Sequence, residues 1–241
     1  MSNEVAAMGV AAPVAEPKPK RLRSPLNQAH ARKLTKAESI GVAAQNGERT
    51  AALAAREIDG KFVTGFLGGV EDARSKAGEA LNHTTAQRNA TAAAKLDAKA
   101  LEAGMREVQK AAKQKYARTN RIALADYLIG KKLNGSVSNL AQTSQTIINR
   151  VGGDDLPGFT TAKVKNLGTM RDAWVTAQET QAQAETAALS SRAELRTMLK
   201  SVEDQKVAIQ LAADAEWPHT DEENAGVRKE FALQPKRPLT I

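Results

Sequence analysis

The chain of 241 residues has no cysteine, which removes disulfide frameworks, zinc-thiolate sites and cysteine nucleophiles from consideration. Aromatic residues make up 3% of it, and the 41% that is hydrophobic is largely alanine, whose methyl group takes little area out of water. That composition argues against a thick globular core and for thin bundles of long helices. No run of about 18 apolar residues occurs, so no segment reads as a membrane-spanning helix. The N-terminal stretch MSNEVAAMGVAAPVAEPKPKRLRSP carries its basic residues after its short apolar part, the reverse of a secretory signal. The default expectation is a cytoplasmic protein, with export by a signal-independent route left open. Histidines number only three, His30, His83 and His219, scattered too widely in sequence to suggest a triad or a metal cluster.

What is present is positive charge, and its location matters more than its total of +8. Residues 1–36 carry seven Lys/Arg against Glu4 and Glu16, and residues 95–132 carry ten against Asp97, Glu102, Glu107 and Asp126. The remainder of the chain is slightly acidic, so the basic character resides in two segments. The first, residues 1–34, combines four prolines with small and basic residues and is expected to be a flexible arm.

From Thr35 to Asp59 helical propensity is high, weakened at Gly41 and Gly47 by about 1 kcal/mol each relative to alanine. Beyond Gly60 a heptad pattern sets in. One row reads Phe66, Ala73, Ala80, Gln87, Ala94, Leu101, Val108; its companion reads Val70, Ala77, Thr84, Thr91, Ala98, Met105, Ala112. A seam this long predicts a coiled-coil helix from Lys61 to Arg118. A second seam, from Leu167 to Ile209 and from Met170 to Ala212, predicts a helix from Thr161 to Glu216, stopped by Pro218. Both seams are bulky at their ends and filled with Ala, Thr, Ser and Gln in the middle. Antiparallel pairing brings small residues against small, Phe66 and Val70 toward Val202 and Ile209, and Leu101 to Val108 toward Leu167 to Trp174.

Between the two seams, Arg121–Gly130 and Asn139–Val151 predict two short helices. Ile122, Leu124, Leu128, Ile129, Leu140, Ile147, Ile148 and Val151 are expected to form a small cap core. After Pro218, Thr220 and Glu223 have the spacing of a capping box, with Asp221, Glu222 and Glu223 in the first turn of a short helix. The expected fold class is all-α: a long antiparallel coiled-coil hairpin with a two-helix tip and a third, N-terminal helix alongside. Its segments are an arm (1–34), the N-terminal and first long helices (35–118), the tip (119–159), the second long helix (160–217) and a short helix with an extended tail (218–241).

The residues that invite chemistry are better explained by structure. His219 with Asp221 and Glu223 has no recognised metal-ligand spacing. The glycines of FLGGVEDARSKAG and LIGKKLNGS match neither a dinucleotide fingerprint nor a phosphate loop. Asp154–Asp155, before Pro157–Gly158, reads as turn chemistry. No cofactor, metal or catalytic residue is assigned, and the expected role is a non-catalytic structural or assembly module. Partner-binding candidates are Lys18, Lys20, Arg21 and Arg23 in the arm, Arg118, Arg121, Lys131 and Lys132 at the tip, and Leu239 and Ile241 in the tail. The expected partner is another copy of the chain or another protein. The alternative is sequence-independent binding of nucleic acid, or another polyanion, by the arm and tip.

Overall fold

The computed structural model describes residues 28–130, 133 and 137–239. Along the chain come α1 (Gln28–Ala44), α2 (Gly47–Ala54), α3 (Gly60–Tyr116), α4 (Ala123–Asp126), α5 (Val137–Gly153) and α6 (Thr161–Glu216). A 3-10 turn (Glu222–Asn224) and α7 (Ala225–Glu230) follow. There is no strand among the described residues.

The two heptad seams become α3 and α6, of 57 and 56 residues, each about 85 Å long at 1.5 Å per residue. They lie antiparallel. At one end Phe66, Val70 and Ala73 share a cluster with Val202, Ile209 and Ala212, and at the other Leu101, Met105 and Val108 share one with Leu167 and Trp174. Ala77 and Ala80 meet Leu195 between them. The register is set by close approaches: a methyl on Gly69 would stand 3.9 Å from Val202, and one on Gly104 would stand 2.8 Å from Leu167.

The middle of the hairpin is thin. On α3 only Ala94 is buried between Ala80 and Leu101, and on α6 only Ala188 between Trp174 and Ser191. The polar residues that interrupt the seam are satisfied locally. Thr84 and Thr91 donate their hydroxyls to the Ala80 and Gln87 carbonyls, at 2.7 and 2.8 Å, and Arg192 reaches across to Thr84 Oγ1 and Gln87 Oε1.

The base of the hairpin carries α1 and α2. Residues 28–34, assigned from composition to the arm, are helical, with Leu34 buried. The single helix expected from Thr35 to Asp59 is broken at Asn46, whose backbone is extended, and Thr50 donates its hydroxyl to the Ala44 carbonyl left open there. Gly41 lies within α1, and there is a steric reason for glycine there: a Cβ would lie 2.5 Å from Leu67 Cδ2. Asp59, expected to close the N-terminal helix, instead opens α3 by accepting from the Phe62 amide at 2.7 Å.

The tip differs from expectation. Only one turn, α4, forms within Arg121–Gly130, because Leu128 (φ 55°) and Gly130 (φ 88°) turn left-handed. Gln109 of α3 donates to the Tyr127 and Leu128 carbonyls, at 3.0 and 3.3 Å, so these carbonyls have partners without a continuing helix. Ile122, placed by sequence in the cap core, is 86% exposed. Tyr127, Leu133, Leu140, Ile147, Val151 and Leu156 make that core.

Candidate functional site

Three polar arrangements stand out from the alanine-rich framework. The first closes the tip. Asp154, directly after α5, accepts hydrogen bonds from the Tyr116 hydroxyl at 2.9 Å and from the Tyr127 hydroxyl, and Arg150 Nε lies 3.4 Å from the same carboxylate. The hydrogen bond from Tyr127 is the main influence holding the Asp154 carboxyl below the ordinary carboxylate range, aided by Tyr116 and the charges of Arg150 and Lys115 against the opposing effect of burial. Burial first, and then the facing carboxylate, push the Tyr127 hydroxyl well above the usual phenol range. Tyr116 and Tyr127 stack with centroids 6.2 Å apart. Asp154 thus does more than shape a turn: it ties the end of α3 to the segment before α5.

The second arrangement is the basic tip. Arg118 and Arg121 lie just past the end of α3, both exposed. Neither has a carboxylate partner among the described residues, and the same holds for Lys110 and Lys113. Other cations of the same cluster are engaged locally. Arg106 lies 3.8 Å from Glu102, and Lys115 donates to the Asp155 carbonyl at 2.5 Å while standing 5.2 Å from the Tyr116 ring centroid. Lys131 and Lys132 lie outside the described residues, as do Lys18, Lys20, Arg21, Arg23 and Ile241.

The third is the seat of the C-terminal tail, whose buried anchor, Arg228, the sequence reading missed. Arg228 in α7 is fully buried. Its guanidinium donates to the carbonyls of Gln234 (3.0 Å), Trp217 (2.5 Å) and Arg237 (2.8 Å), and pairs with Asp214 Oδ1 of α6 at 2.6 Å. The other Asp214 oxygen accepts from the Leu239 amide at 3.2 Å, and buried Gln210 donates to the Phe231 carbonyl at 2.9 Å. Trp217 stacks on Phe231, centroids 5.3 Å apart, and Leu233 and Leu239 pack on the basal cluster. Leu239 is therefore partly buried against its own chain.

His219 lies beside this seat, lining a shallow recess with Thr220, Glu222 and Lys236. The expected capping box does not form. The cap is Asp221, whose Oδ1 accepts from the Glu223 amide at 3.1 Å, so the turn starts one residue later than the Thr220 reading and Thr220 remains exposed. Among the described residues no group of three His, Asp or Glu side chains is placed to hold a metal ion.

What these arrangements present at the surface, among the described residues, is charge. Cations without local partners gather at the tip, and the tail and tyrosine networks are spent on holding the chain to itself. No protein-family model, curated protein or solved structure matches the chain, so a functional reading rests on this geometry alone.

Proposed function

We propose that this protein is a non-catalytic structural or assembly module, a helical strut that joins copies of itself, or a protein partner, through its ends. The observation that carries the reading is the distribution of packing along the hairpin. Bulky residues concentrate in a cluster at each end, and a shaft of alanine and threonine separates them. Such a shape holds its two packed ends apart, which suits a spacer or scaffold. The tip adds a patch of exposed Arg118 and Arg121 suited to an acidic surface on a neighbour.

Mass in solution across a range of protein concentrations tests this. The expected result is concentration-dependent association that weakens when Arg118 and Arg121 are both changed to glutamate. A second reading, sequence-independent nucleic-acid binding, is favoured by the same cations. It replaces the first if the chain stays monomeric throughout while binding duplex DNA or RNA with an affinity that falls steeply with salt.

A further inference from the structure

One side of the hairpin is covered by a third helix for only part of its length. At the base, α1 runs along a row of α3 residues spaced by seven: Gly41 sits on Leu67, Glu38 pairs with Arg74 at 2.5 Å, and His30 stands beside Leu81 in a shared groove. The next residues of that row are Arg88 and Lys95, and α1 has ended. On α6 the matching row runs from Leu199 through Arg192 to Glu185 and Gln178. The groove that opens where α1 stops has a volume of about 260 Å³, with Leu81, Leu195 and Leu199 among its lining and Arg192 and Arg196 beside them. His30 closes it, with a ring nitrogen shielded from solvent that has no hydrogen-bond partner. Arg88, Lys95, Arg192 and Arg196 have no carboxylate partner among the described residues; Arg192 is held by the neutral Thr84 and Gln87 side chains.

We propose that this groove is the docking site of the chain's own N-terminal segment, residues 4–16. The inference stands apart from the assembly reading. The 27 residues that precede Gln28 reach the rest of the chain at the mouth of the groove, where α1 begins. Their sequence divides by charge. EVAAMGVAAPVAE, Glu4 to Glu16, is apolar between two acids and has no Lys or Arg, whereas KPKRLR, Lys18 to Arg23, repeats the sign of the groove rim. Apolar surface bordered by acids complements leucines bordered by arginines; the basic run does not. Reach is sufficient. The 11 residues between Glu16 and Gln28 span up to about 36 Å when extended, against the roughly 21 Å from Leu81 to Lys95 along the helix.

A chain with no native cysteine permits a direct test on the full-length protein. V10C is combined with Q178C, on the groove side, or with T180C. Thr180 lies two heptads before Glu194, which pairs with Lys76 on the far side of the hairpin. With a short thiol cross-linker, the V10C/Q178C pair is expected to link within one chain at least about tenfold faster than V10C/T180C, reflecting a raised effective concentration at the groove. Changing both Glu4 and Glu16 to glutamine is expected to shrink that advantage, with helicity and melting temperature unaltered. Equal rates for the two pairs overturn the proposal, because a merely tethered segment samples both faces. Links formed only between chains overturn it in favour of a neighbouring copy as the occupant.

Discussion

Arg228 and Asp214 meet at 2.6 Å beneath the C-terminal tail, one from the last short helix and one from the end of α6. The arginine is wholly buried, so its charge has left water and is compensated only by Asp214 and three backbone carbonyls. Removing one member of a buried pair costs about 3–5 kcal/mol, and here the low end applies, because Asp214 is 20% exposed and keeps the Leu239 amide. Arg228→Ala is expected to lower unfolding stability by about 3 kcal/mol in urea titration. It should also expose Phe231 to chymotrypsin under conditions where the parent chain resists. A variant with unchanged urea midpoint and unchanged cleavage would show that the tail is held by its apolar contacts alone.

Two glycines within helices should respond to alanine in opposite directions. Gly78 of α3 has open space where a Cβ would go, so Gly78→Ala gains helix propensity and should raise stability by about 0.5–1 kcal/mol. At Gly41 the same methyl meets Leu67 Cδ2 at 2.5 Å and Phe66 Cδ1 at 3.1 Å, so Gly41→Ala should lower stability by about 1 kcal/mol despite the propensity gain. Thermal melts of the two variants side by side give the signs. Both shifting upward would mean that α1 slides over Leu67 without cost.

The tip should be sensitive to acid through Asp154. Its carboxyl is held below the ordinary 3.8 in the folded chain, so it contributes stability that is present above that value and is lost as pH falls through the folded value. Asp154→Asn has no such contribution. Melting temperatures of parent and variant should therefore differ most near pH 5 and converge as pH drops below about 4. A gap that stays constant down to pH 2 would assign the difference to lost hydrogen bonds and not to ionisation. Tyr127→Phe, which removes one of those hydrogen bonds, is expected to cost about 1 kcal/mol at neutral pH.

The register of the hairpin is open to direct measurement. Val202 lies at Gly69 and Leu195 at Ala77, and one further heptad along both helices brings Ala188 to Thr84. A cysteine pair at Thr84 and Ala188 should cross-link within a single chain, read by mass on a denaturing gel. Products joining two chains would point to helices exchanged between copies.

The long helices could be read from sequence because their seams repeat every seven residues, and their antiparallel pairing because both seams become small in the middle. The stop after Glu216 followed from Pro218. What escaped depends on groups that only the folded chain brings together. Nothing in the sequence sets Arg228 apart from the other cations, because its burial is decided by carbonyls from Trp217, Gln234 and Arg237 that only the folded tail assembles. Asp154 sat in a turn-like sequence, and nothing local announced that tyrosines 38 and 27 residues earlier would both reach it. Gly41 was correctly marked as unusual for a helix but for want of the right reason, since its lack of a side chain makes room for Leu67. Ile122 carried the apolar label of a core residue at a position whose helix never extends far enough to turn it inward.

The thin middle of the hairpin bears on how the molecule comes apart. From Ala80 to Leu101 on α3 and from Trp174 to Ser191 on α6, Ala94 and Ala188 are the only residues buried in between, and an alanine methyl contributes far less than a leucine or tryptophan side chain. Little free energy is available there to couple one end to the other, so the ends should act as separate cooperative units and not as one. Amide exchange would register this as two plateaus of protection with a fast-exchanging stretch near residues 84–98 and 175–187. A lesion such as Arg228→Ala should lower the basal plateau and leave the distal one where it was.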